Sequence, residues 1–96
     1  MGIPIENIAK NIIRKAVEFD TLTTHRHSPG AVAATAVFMA ARASDKQFAR
    51  NELSNATGVA NVTIRTVYKL MRPRAAELFP ADFNLDLSKL PRSYRY

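Results

Sequence analysis

Apolar residues recur along this chain at helical rather than strand spacing. Ile5, Ile8, Ile12, Ala16 and Phe19 fall on one stripe, with Lys10, Arg14 and Lys15 among the positions left for solvent. That pattern predicts an amphipathic helix over residues 4–20, with Pro4 tolerated in its first turn. Thr21 to His27 is polar and reads as a loop. Ser28-Pro29 is a helix start, a side-chain acceptor at the cap followed by a proline at the first helical position. From Gly30 to Ala41 the chain carries no charge, and its alanines (Ala31, Ala33, Ala34, Ala36, Ala40, Ala41) allow close approach of neighbours while Val32, Val37, Phe38 and Met39 fill gaps. A helix apolar on every side belongs inside a bundle, and this one is too short to cross a bilayer.

Further on, Ser44 to Gln47 reads as a loop, residues 49–57 as a short helix and Asn61 to about Met71 as a second one. Pro73 is expected to end that helix, because the residue before a proline resists the α region. Arg74 to Phe79 is expected to add one or two helical turns, stopped by Pro80. In the tail, Leu85, Leu87 and Leu90 are expected to dock on the core and Arg92 to Tyr96 to fray. The prediction is therefore all-α: one domain over residues 3–91, a bundle of about four main helices plus a short C-terminal one, and a frayed tail over 92–96.

The segment Leu53 to Tyr68 carries the sharpest chemistry. It reads as a helix, a turn and a second helix, a helix-turn-helix spanning about residues 49–71. The turn needs a residue that tolerates positive φ, and Gly58 supplies it. Val59 tucks under the junction, and Asn61 is expected to cap the following helix. Ile64, Val67, Tyr68 and Met71 follow i, i+3, i+4, i+7 and face the bundle, whereas Val62, Arg65, Thr66 and Lys69 fall on the other side. A guanidinium there matches the O6/N7 edge of guanine, so Arg65 is the candidate for direct base reading, with Val62 pressing on a thymine methyl or excluding a wrong base. Thr63 and Lys69, with the N–H groups at the helix start, are candidates for phosphate.

Charge sharpens this picture. The 96-residue chain holds 14 Lys and Arg against 8 acids, a net charge of +6, which favours an anionic partner. Between Arg42 and Arg74 lie seven bases (Arg42, Lys46, Arg50, Arg65, Lys69, Arg72, Arg74) and two acids (Asp45, Glu52), so most of the excess sits on or beside the motif. The chain has no cysteine, which excludes disulfides and cysteine-based zinc sites. No apolar run is long enough for a bilayer and no signal peptide is visible; the start reads as a truncated or non-native one, in a piece of a larger intracellular protein. His25 and His27 share a loop, but two histidines without nearby carboxylates make a thin metal site. Asp82 and Asp86 stand in a leucine-bearing tail and read as solvated acids. With no phosphate loop and no nucleophile constellation, the residues point to a non-enzyme that needs neither metal nor cofactor.

The ordered set of these pieces resembles the second cyclin-like repeat of the general transcription factor IIB family, eukaryotic branch. The resemblance runs from about Ile5 to Pro91. It is carried by Ser28-Pro29 and the alanine-rich helix to Met39, by Gly58-Val59-Ala60-Asn61-Val62-Thr63-Ile64-Arg65, by Tyr68, by Pro73-Arg74-Ala75-Ala76-Glu77-Leu78-Phe79-Pro80-Ala81-Asp82-Phe83, and by Lys89-Leu90-Pro91. It implies a cyclin-like bundle in a nuclear RNA polymerase II initiation factor, bridging the TATA-box-binding protein on promoter DNA to the polymerase machinery. It further implies that the helix-turn-helix reads a GC-rich element beside the TATA box. Base contacts would come from Val62 and Arg65, and backbone contacts from Ala60, Thr63 and Lys69.

Three departures carry expectations. The family's zinc ribbon and first repeat do not match, so this chain alone is not expected to recruit polymerase. The helix that ordinarily precedes the one near Ile5 is missing, which is expected to leave an apolar groove open to dimerisation. A capping threonine is replaced at Ala49, costing roughly 1 kcal/mol of helix stability. The competing reading is a cyclin-like interaction module that binds acidic activation domains or other transcription factors and has little DNA affinity of its own.

Overall fold

A computed structural model describes residues 5–18, 29–49, 51–80, 83–92 and 94, with Val17 and Pro29 described by backbone alone. Among these residues every regular element is helical: α1 (Ile5–Glu18), α2 (Pro29–Ala43), α3 (Glu52–Thr57), α4 (Asn61–Met71), a 3-10 turn (Arg72–Arg74), α5 (Ala75–Leu78) and a second 3-10 turn (Leu87–Lys89). This is the all-α arrangement of four helices and a short fifth that the periodicity predicts. The expectations for Pro4, Phe19, the Thr21–His27 loop, the Ser28 cap and tail residues 93, 95 and 96 lie outside the described residues.

Helix α2 is the axis of the bundle. It packs against α1, α3, α4 and the second 3-10 turn, and α1 also reaches α5. Its Ala31, Ala34, Ala36, Ala40 and Ala41 are buried together with Val32, Phe38 and Met39, so the methyl groups set a short distance between neighbouring backbones. Thr35 is the one buried polar residue among those described; its hydroxyl donates to the Ala31 carbonyl at 2.9 Å, which satisfies the group within its own helix. The end of α2 is closed without a glycine. Asp45 adopts φ 62°, Lys46 N donates to the Ala41 carbonyl at 2.8 Å and Asp45 N to that of Arg42 at 3.1 Å, the paired bonds of a Schellman ending.

Helix α1 buries Ile8, Ala9, Ile12 and Ala16, and Asn11 Nδ2 donates to the Leu78 carbonyl at 2.9 Å, joining α1 to the end of α5. Ile5 and Ile13 are partly buried against the core. The expected apolar groove is therefore not formed by these α1 side chains. The large apolar residues that are exposed among the described ones are Val62, Leu70 and Leu87.

Three local expectations are corrected. Helix α4 ends at Met71, as expected ahead of Pro73, but the residue before the proline does not leave the helical region. Arg72 holds φ −56°, ψ −44°, and the chain tightens into a 3-10 turn with Pro73 inside it before α5 resumes. The proline loses little there, because a 3-10 turn at a helix end already has amides without i−4 partners. Pro80 does act as expected: Phe79 before it is extended at φ −76°, ψ 153°. Leu87 does not dock, being 52% exposed, whereas Leu90 is buried. Finally, the tail does not fray at Tyr94, which is 5% exposed with its ring edge-on to Phe38 at 4.9 Å.

Candidate nucleic-acid interface

Helices α3 and α4 meet at Gly58, and local bonds build the turn from its sequence. Gly58 takes φ 73°, ψ 8° and donates its N–H to the Ser54 carbonyl; Ser54 Oγ donates to the Val59 carbonyl at 2.7 Å, and Val59 N donates to Thr57 Oγ1 at 3.2 Å. Val59 is partly buried against the core, as its place under the junction requires. Helix α3 begins later than residue 49. Asn51 precedes it at φ 64°, a left-handed conformation that asparagine tolerates better than most residues. The alanine at 49 provides no side-chain cap, yet its N–H donates to Glu52 Oε1 at 2.7 Å and its carbonyl accepts from Glu52 N at 3.0 Å, which closes the turn ahead of α3.

Helix α4 is two-faced along its length. Ile64, Val67, Tyr68 and Met71 are completely buried, while Val62 is 52% exposed and Arg65, Thr66 and Lys69 are exposed as well. Ala60 is exposed and Thr63 half-buried. The proposed reading residues thus share the outer side, with Val62, Arg65 and Lys69 spaced at three and four residues. Thr66 differs in that its hydroxyl is returned to the Val62 carbonyl at 3.0 Å.

Asn61 is not the cap of α4. That position is Ala60, extended at φ −62°, ψ 142° and without a side-chain bond; its carbonyl accepts from Thr63 N at 3.0 Å and Ile64 N at 3.1 Å. Asn61 is the first helical residue, and its carboxamide works elsewhere: Nδ2 donates to Asn51 Oδ1 at 2.7 Å, and Oδ1 accepts from the Tyr94 hydroxyl at 2.9 Å. The sequence reading missed Asn51 and Tyr94. An asparagine just before a short helix and an aromatic residue in a polar tail were the available signals.

At the other end of α4, the Tyr68 hydroxyl donates to the Pro91 carbonyl. The same oxygen accepts from Arg72 Nε at 2.9 Å. Burial pushes the Tyr68 phenol above its usual value, against the opposing pull of the Arg72 guanidinium. Nearby, a cleft is lined by Arg42, Asp45, Lys46, Gln47, Ser88 and Lys89, with Lys89 Nζ 2.9 Å from Asp45 Oδ2 and the Arg42 Nε buried without an acceptor.

Of the weaker candidates, the structure describes Asp86. Asp86 accepts from Ser88 N at 3.0 Å and from Ser88 Oγ at 2.6 Å; these bonds hold its carboxyl below the usual range and make it the cap of a 3-10 turn. His25, His27 and Asp82 lie outside the described residues. Among the described residues no cluster of histidines and acids could hold a metal ion, and no helix is long and apolar enough to cross a membrane.

Comparison with known proteins agrees with this architecture. Residues 2–74 match the model of the family described as the transcription factor TFIIB repeat. The chain is 46% identical over 90 residues to transcription initiation factor IIB of Xenopus laevis, covering 92% of this chain and 28% of that protein. It is 44% identical to the Homo sapiens protein of the same name and 43% identical to that of Drosophila virilis. The chain thus spans under a third of the length of these relatives. On the helical bundle, the motif it carries and these matches together, the chain belongs to the transcription factor TFIIB repeat family.

Proposed function

We propose that this chain is a promoter-reading module of a general RNA polymerase II initiation factor, working in the nucleus. Its α4 lies in the major groove beside the TATA box. The observation that carries the reading is the outward placement of Val62 and Arg65 on a helix whose opposite side is sealed in the core. Arg65 reads a guanine edge, and Val62 excludes or packs on a neighbouring base. Ala60, Thr63 and Lys69 meet the phosphate backbone; the start of α4 lacks a side-chain cap, so its first amides suit an anionic oxygen. In the full-length factor the module also contacts the TATA-box-binding protein and, through other parts, the polymerase machinery.

The experiment is a salt-dependent titration against GC-rich and AT-rich duplexes, with and without the TATA-box-binding protein. A preference for the GC-rich duplex, and affinity that falls as salt rises, is the expected result. Equal, weak binding to both duplexes, with no gain from the TATA-box-binding protein, overturns it.

A second reading is favoured by the cleft at the end of α2. There Arg42, Lys46 and Lys89 line one cleft against a single acid, Asp45, which Lys89 pairs, so an acidic activation segment meets a net positive lining. Binding of an acidic peptide at moderate salt, with no measurable duplex binding, selects this reading.

A further inference from the structure

The tail meets the reading helix at both ends, at Tyr68 through the Pro91 carbonyl and at Asn61 through the Tyr94 hydroxyl. Three anchors fix its course first: Leu90 is buried, the Pro91 carbonyl accepts from both Tyr68 and Arg72, and the Tyr94 ring stands edge-on to Phe38 of α2 at 4.9 Å and 86°. Phe38 meets Tyr68 of α4 in the same manner, at 5.2 Å and 85°, so one α2 ring is held between the tail and the reading helix. With its ring held, the Tyr94 phenol has little freedom, and its hydroxyl falls 2.9 Å from Asn61 Oδ1. Asn61 in turn holds Asn51 at the start of α3. A relay therefore runs from the tail through the first residue of α4 to the first residues of the motif.

We propose that Tyr94 is a positioning residue for DNA reading: its hydroxyl, acting through Asn61 and Asn51, fixes the first turn of α4 against α3 and so fixes where Val62 and Arg65 point. The role rests on the reading of α4 proposed above. Its logic is geometric. Ala60 offers no side chain to pin the start of α4, and Val62 follows Asn61 directly. Recognition requires side chains held within about 10–20° of the productive pose, and the carboxamide of Asn61 is a polar tether at the turn where that pose is set.

The test uses the 96-residue chain and Tyr94→Phe, which removes the hydroxyl and keeps the ring on Phe38. Amide hydrogen exchange is followed at Thr63 and Ile64, whose N–H groups donate to the Ala60 carbonyl, and at Met39 as an interior reference. Exchange at Thr63 and Ile64 is expected to quicken roughly three- to tenfold, the worth of one hydrogen bond, with Met39 unchanged. The ratio of GC-rich to AT-rich duplex affinity is expected to fall by roughly the same factor, with AT-rich binding and its salt dependence untouched. Asn61→Ala is expected to reproduce the local exchange, and the double variant to add nothing to it.

Unchanged exchange at Thr63 and Ile64 overturns the proposal. So does an equal rise at every amide, which marks a loss of global stability alone. A local rise in exchange with an unaltered affinity ratio overturns the positioning role as well. If the unmutated chain itself shows no preference between duplexes, the reading of α4 has failed. The tether between Tyr94 and the first turn is then judged by the exchange result alone.

Discussion

Arg65 and Lys69 stand one helical turn apart on the same exposed side of α4, yet their chemistry predicts different failures. Arg65→Ala is expected to weaken binding to a GC-rich duplex by roughly 1–3 kcal/mol and to blur preference at one base. Lys69→Ala is expected to weaken all duplexes alike and to reduce the salt dependence by about one phosphate contact. Parallel titrations of the two variants check this; matching profiles would contradict the division of labour. The two sides of α4 were legible because burial of Ile64, Val67, Tyr68 and Met71 follows a local period, which any window of sequence displays. The role of Asn61 was not. A cap is inferred from the residues that follow it, whereas the carboxamide of Asn61 is claimed by a hydroxyl 33 positions away, and no periodicity encodes a pairing at that range.

Elements show the same division between local rules and those set by neighbours. The turn between α3 and α4 pivots on Gly58: φ 73° is easy for glycine, and beyond its chain neighbours no atom lies within 4 Å of where a Cβ would stand. Gly58→Ala is therefore expected to cost about 1–2 kcal/mol, all of it from the left-handed backbone and none from a clash. Denaturant unfolding of this variant measures that cost, and a loss well beyond it would mean that the space is filled. Pro73 shows the converse. Its rule is sound for a continuing α-helix, but the chain switches hydrogen-bond pattern at Arg72, so the restriction falls where the ring fits. The later start of α3 has a similar cause, since Asn51 takes the left-handed conformation that a helix interior refuses.

Across the whole molecule, the tail is structural: Leu90 docks as expected, and Tyr94, expected to fray, docks as well. Leu90 is 2% exposed, and Leu90→Ala is expected to lower stability by about 2–5 kcal/mol, read as a shift of the denaturant midpoint. Tyr68 predicts a pH effect. Its phenol is raised above the ordinary value of 10.0 by burial, so the neutral form is favoured in the folded state. That contribution is present in full below the unfolded value and is lost as pH rises through the folded one. Stability should thus decline above about pH 10, and Tyr68→Phe should blunt that decline while lowering stability near neutrality by about 1 kcal/mol. Equal alkaline losses in both proteins would rule out Tyr68 as the source.

The two-sided build of α4 also bears on how such a module changes over time. The residues that hold α4 in place, Ile64, Val67, Tyr68 and Met71, are buried, whereas Val62, Arg65 and Lys69 are exposed. On the proposed reading, swapping Val62 or Arg65 for other side chains is expected to alter which duplex is preferred without asking the scaffold to fold anew. Growth of any buried α2 alanine, by contrast, would wedge the helices apart. On that reading, new preferences come from single exposed substitutions, while the buried positions keep the framework fixed.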